Sequence, residues 1–109
     1  MKVEHLEEGT SVVLVVSGQV DMHTSPELRT SLRAALERKR TPIVVDLGGV
    51  SFIDSSGLAT LIEALQGVAH YGGRLRLAGL TSAVQNLFQL SNLSSIFDIR
   101  DTREEALQA

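Results

Sequence analysis

Hydrophobic and polar positions along this chain switch repeatedly between a period of two and a period near 3.6. Val3 to Leu6 and Ser11 to Ser17 read as two strands joined by Glu7-Glu8-Gly9-Thr10, a hairpin-type connection. The second strand carries Val12-Val13-Leu14-Val15-Val16 without a polar break, so burial on both faces is expected, with Gly18 ending it. A helix opens near Ser25-Pro26, with Ser25 as N-cap and proline at the first helical position, where its missing N–H costs nothing. Leu28, Leu32, Ala35 and Leu36 give that helix an apolar face, and Glu27, Arg29, Arg33 and Glu37 a wet one.

Ile43-Val44-Val45 reads as a short strand after Pro42, followed by a loop from Asp46 to Asp54. A second helix is expected from about Ser55 to Tyr71, stopped by Gly72-Gly73. Leu75 and Leu77 alternate with Arg74 and Arg76, the pattern of a strand less buried on one side. Thr81 caps a third helix carrying Val84, Leu87 and Phe88. Ile96 to Ile99 read as an edge strand and Thr102 to Leu107 as a short last helix. The order β-β-α-β-α-β-α-β-α predicts an α/β fold. Its sheet is mixed, with four to five strands: parallel through right-handed crossovers, antiparallel at the opening hairpin.

Composition narrows the chemistry more than the architecture. A chain of 109 residues suits one domain, expected over 1–109. Aromatic residues make up only 4%, so the core must come from Leu, Val, Ile and Ala. The net charge of −3 gives nucleic acid or an anionic membrane no global attraction, so neither partner is expected. With no cysteine, disulfides, thiolate nucleophiles and cysteine metal sites are all excluded. The longest apolar run, Val12 to Val16, is far too short to span a membrane, and residues 1–5 show no hydrophobic signal region. Cytoplasm is the expected location.

The informative stretch is Val44 to Leu58, where a buried strand leads to Asp54-Ser55-Ser56-Gly57 at a helix start. Sites in open α/β sheets lie beyond the carboxyl ends of the strands, where this turn falls. The residues alone support two readings: a helix N-cap, or an exposed serine poised for modification. The helix beyond has a core stripe of Leu58, Leu61, Ile62, Leu65, Val68 and Ala69. Its other side reads Ala59, Thr60, Glu63, Ala64, Gln66 and Gly67, with one charge in the whole helix. Small uncharged residues there imply close approach by another surface, either a partner or another part of the same domain.

A phosphate at this position is physically tolerable. A helix N-terminus offers free N–H groups and partial positive charge. It would also add about −1.5 to −2 charges beside Asp54 on an exposed rim.

The run Asp46-Leu47 to Phe52-Ile53-Asp54-Ser55-Ser56-Gly57-Leu58 resembles the signature of STAS domains, specifically of bacterial anti-sigma factor antagonists. Ser17-Gly18-Gln19-Val20-Asp21 followed by Thr24 is similar to that family's turn before its first long helix. Gly73 to Leu77 and Ala83-Val84 with Leu87 to Leu93 agree in order and spacing with its glycine-led strand and third helix.

The resemblance implies that Ser55 accepts phosphate from an ATP-dependent serine kinase of the GHKL type, which is itself the anti-sigma factor. The unphosphorylated form would bind that kinase and free the sigma factor, and a PP2C-type phosphatase would reset the system. Asp21, Thr24, Asp54, Ser56, Gly57, Ala59, Thr60 and Glu63 become the expected partner-binding residues. Ala59 stands where many members carry glycine. STAS domains also serve as cytoplasmic subunits of lipid-transporting ABC systems and as stress-signalling scaffolds. The intact Asp54-Ser55-Ser56-Gly57 turn and a chain ending just after the domain favour the antagonist.

Other constellations are weak. Ile53 stands where a serine hydrolase would need the first glycine of Gly-x-Ser-x-Gly. His5, His23 and His70 have no triad or metal spacing, and no phosphate-binding glycine motif occurs. Neither metal nor cofactor is expected, and catalysis by the chain itself is the least favoured reading. Arg38-Lys39-Arg40 closes the first helix, where positive charge complements its dipole.

Overall fold

In a computed structural model, which describes residues 1–108, the period-two segments become one five-stranded sheet in the order β1-β2-β3-β4-β5. The strands are β1 (Lys2–Glu8), β2 (Ser11–Val20), β3 (Ile43–Ile53), β4 (Leu75–Ala78) and β5 (Asp98–Arg100). The helices are α1 (Ser25–Glu37), α2 (Ser55–Ala69), α3 (Ser82–Leu90) and α4 (Arg103–Leu107). β1 and β2 are antiparallel, turning at Gly9, whose φ of +60° suits glycine. β2 to β5 pair in parallel.

Each crossover steps to the next strand in the same direction. With a common hand, α1, α2 and α3 therefore fall on one face. There Leu28, Leu32, Leu61, Val68, Val84 and Phe88 pack on Val12, Leu14, Val16, Ile43, Val45 and Leu77. On the reverse face Ala106 and Leu107 of α4 cover Val13, Val44 and Ala78. The continuous apolar run of β2 thus serves two cores.

Five sequence expectations need correction. Gly18 does not end β2: with φ of +91° it sits where the β2–β3 register slips, and the strand continues to Val20. Asp46 to Ile53 is not a loop but the second half of β3, with Ser17 opposite Gly49 and Val20 opposite Ile53. The N-cap of α1 is Thr24, while Ser25 is buried one position inside the helix. β4 is covered on both sides: Arg76 is only 8% exposed beneath α4. Its guanidinium donates to Asp98 (3.2 Å), to the Ala106 carbonyl (2.9 Å) and to the Gln108 carbonyl. β5 lies slightly later than expected, because Phe97 turns inward onto Phe88 (ring centroids 5.6 Å apart).

The extended β3 fixes the geometry of the functional end. Two adjacent parallel strands finish in register at Val20 and Ile53, so the turns that follow them stand side by side.

Candidate functional site

Asp54 leaves β3 in an extended conformation and becomes the N-cap of α2. Its N–H donates to the Val20 carbonyl (3.0 Å), tying the turn to the end of β2. Its Oδ1 accepts from Ser56 N (2.9 Å), Ser56 Oγ (2.5 Å) and Gly57 N (3.3 Å).

Gly57 lies buried beneath this turn. A Cβ there would stand 2.6 Å from Ile53 Cγ1 and 2.8 Å from Val20 Cγ1. Only glycine lets the first turn of α2 settle onto the two strand ends.

Ser55, the first helical residue, is exposed, and its hydroxyl is bonded to none of the described residues. Ser56 is half-buried and committed to Asp54.

The neighbouring turn is equally self-contained. Asp21 Oδ1 accepts from His23 N (2.9 Å) and Thr24 N (3.1 Å). Thr24 Oγ1 accepts from Asp21 N (2.9 Å) and donates to the Gln19 carbonyl (2.9 Å). These side chains shape the rim from within.

Of the residues anticipated from the sequence, Ser55 and Ala59 are exposed one turn apart on α2, with Gln66 further along. Thr60 is 1% exposed, and its hydroxyl donates to the Ser56 carbonyl (2.9 Å). Neither Thr60 nor buried Gly57 is open to the surface of the free chain. Glu63 is engaged within the chain, by Arg33 (3.0 Å) and Arg29 (3.3 Å) of α1. Gly67 faces Leu36, where a Cβ would approach to 2.9 Å. The small-residue side of α2 thus divides: Thr60, Ala64 and Gly67 are covered within the domain, while Ala59 and Gln66 remain outside.

Two residues were missed. Met22 is 70% exposed and Phe52 50% exposed, each next to one of the two turns. Phe52 also borders an apolar groove of about 220 Å³ lined by Ser51, Ile53, Ala83, Val84 and Leu87. A phenylalanine beside inward-facing Ile53 carried a signal, because β3 alternation points it outward; Met22 carried none. Among the described residues no cluster of three or more metal-ligating side chains occurs, and no helix is long and apolar enough to cross a membrane.

Both turn carboxyls are held below the ordinary aspartate range. For Asp21 the chief cause is the His23 N–H, and for Asp54 it is the Ser56 hydroxyl. A lowered folded value stabilises the fold above the ordinary value of about 4, and that contribution is lost as pH falls through the lowered value. Acid unfolding followed by circular dichroism is therefore expected to show stability falling below about pH 4. The fall should be shallower in Asp54→Asn; an unchanged slope would place the proton uptake elsewhere.

The STAS domain family model matches residues 2–106. An anti-sigma F factor antagonist of Paenibacillus polymyxa is 31% identical over 94% of this chain and 89% of its own. Among solved structures, an anti-sigma factor antagonist from Mycobacterium paratuberculosis superposes with a TM-score of 0.89 at 24% identity, covering 97% of this chain and 90% of that one. The phosphorylated form of the Bacillus cell fate determinant SpoIIAA gives 0.75 at 24% identity, over 97% and 96%. The two structures show the same fold, and the family match, together with the Paenibacillus relative, places this chain in the STAS-domain family of anti-sigma factor antagonists.

Proposed function

We propose that this chain is a phosphorylation-controlled anti-sigma factor antagonist acting in the cytoplasm. In its unphosphorylated form it binds an anti-sigma factor that is also a GHKL-type serine kinase, and so frees the sigma factor. Transfer of phosphate to Ser55 breaks that complex, and a PP2C-type phosphatase restores it. The chain is a regulatory partner and substrate rather than a catalyst.

The observation that carries this reading is the state of Ser55. It is the exposed first residue of α2, beyond the ends of two paired parallel strands, with its hydroxyl unengaged. Names borne by relatives support the partner class, since the Paenibacillus protein is called an anti-sigma F factor antagonist. The SpoIIAA structure is described as phosphorylated, which supports the kind of modification. Exposed Ala59 on α2, and Met22 and Phe52 at the strand ends, offer an uncharged contact surface around the serine, and exposed Gln66 lies about three turns further along α2.

The test is Ser55→Ala. This variant is expected to stay bound to the anti-sigma factor kinase when ATP is added, and to keep sigma-dependent transcription on in cells carrying the kinase. A Ser55→Ala chain released by ATP as readily as the wild type would overturn the proposal.

A further inference from the structure

Two adjacent serines occupy the turn, and their environments differ sharply. Ser56 Oγ lies 2.5 Å from Asp54 Oδ1, and the Ser56 N–H donates to the same oxygen at 2.9 Å. Ser55 is exposed, and its hydroxyl is bonded to none of the described residues. We infer that Asp54 is a positioning residue that determines which serine is phosphorylated, by withholding Ser56 and leaving Ser55 as the sole acceptor. The inference rests on the proposed function, because it presupposes transfer to this turn.

In the transfer, a serine Oγ forms a bond to the γ-phosphorus of ATP, the bond from that phosphorus to the β,γ-bridging oxygen breaks, and ADP leaves. The hydroxyl proton passes to a base of the kinase. For Ser55 no group among the described residues competes for that proton, and its exposure leaves the hydroxyl open to the phosphate.

For Ser56 the proton already points at Asp54. That carboxylate could act as a base only weakly, because the hydrogen bonds converging on it hold its carboxyl below the usual range. A phosphate on Ser56 would also place its charge against Asp54 and abolish the bond between them. The shared carboxylate therefore opposes modification of Ser56 both before and after transfer. Thr60 adds to the restraint, its hydroxyl holding the Ser56 carbonyl at 2.9 Å.

The experiment uses the full chain with its anti-sigma factor kinase and ATP, and sites are mapped by fragmentation mass spectrometry. Wild type is expected to carry phosphate on Ser55, and Ser55→Ala to gain at most a slow trace on Ser56. Asp54→Ala with Ser55→Ala should be labelled on Ser56 at least tenfold faster than Ser55→Ala alone. A purely structural role for Asp54 would slow labelling and would not move it to Ser56. Circular dichroism and kinase binding establish that the double variant is folded and recognised. Asn at position 54 keeps a capping oxygen without the charge, so Asp54→Asn with Ser55→Ala should be intermediate.

Rapid labelling of Ser56 in Ser55→Ala would overturn the inference while leaving the proposed function standing. So would a folded, kinase-binding Asp54→Ala/Ser55→Ala chain that stays unlabelled. Wild type left unphosphorylated at Ser55 by an active kinase would overturn both.

Discussion

Ser55→Asp is expected to weaken the complex with the anti-sigma factor by about a thousandfold while leaving the domain folded. Like charges about 4 Å apart at a partly screened interface repel by roughly 4 kcal/mol at an effective dielectric near 20. That energy corresponds to about three decades of affinity. Ser55 already lies beside Asp54, so a partner packed on this rim must accommodate a second negative charge within the same few ångströms. The free fold bears little of the penalty, since there both charges face water, which screens them, and an acidic group in the first turn of a helix interacts favourably with the helix dipole. Calorimetric titration against the kinase measures the affinity, and a thermal melt measures the fold. Wild-type affinity in Ser55→Asp would remove charge at this position as the switch. A collapsed melt would show that the helix end does not tolerate it.

Gly57→Val is expected to give the largest loss of stability among changes confined to the turn, about 2–3 kcal/mol. The added Cβ would stand within 3 Å of Ile53 and Val20, which are 2% and 0% exposed. Both neighbours are β-branched, stiff at χ1 and locked at the ends of paired strands, so they cannot give way locally. The first turn of α2 must lift instead, which disturbs the Asp54 cap and the placement of Ser55. A melting temperature lower by roughly 10–20 °C should follow. Val20→Ala in the same chain should recover part of the loss by opening space beneath the turn. A Gly57→Val chain as stable as the wild type would show that the helix start is not seated on the strand ends as described.

Most of the fold was legible because period and punctuation agree. Pro26 and Thr81 mark helix starts, and the unbroken apolar run of β2 announces burial on both faces. Illegible features were those set by partners distant in sequence. Gly48, Gly49 and Ser51 look like loop, yet they lie in a strand held by backbone pairing with the end of β2. Arg76 reads as solvent-facing, until α4, some thirty residues later, folds over it and supplies carbonyl partners.

The site divides along the same line. Ser55 and Asp54 are specified by local turn chemistry, so the sequence exposes them, whereas the need for glycine at position 57 comes partly from Val20 of the neighbouring strand. That Thr60 is buried and that Glu63 is held by Arg29 and Arg33 could not be read from sequence, because only the packing of α2 on α1 shows where that side of the helix goes. Asp21 could be placed near the rim from sequence, but its saturation by His23 and Thr24 emerges only from the turn itself.

Native mass spectrometry of the wild-type chain mixed with its anti-sigma factor kinase, before and after ATP is added, follows the phosphate and the complex together. One phosphate per chain on Ser55, with the complex dissociating as that phosphate accumulates and the released chain still folded, is the predicted result. A complex that persists with Ser55 fully phosphorylated, or one that dissociates with phosphate only elsewhere, would contradict it.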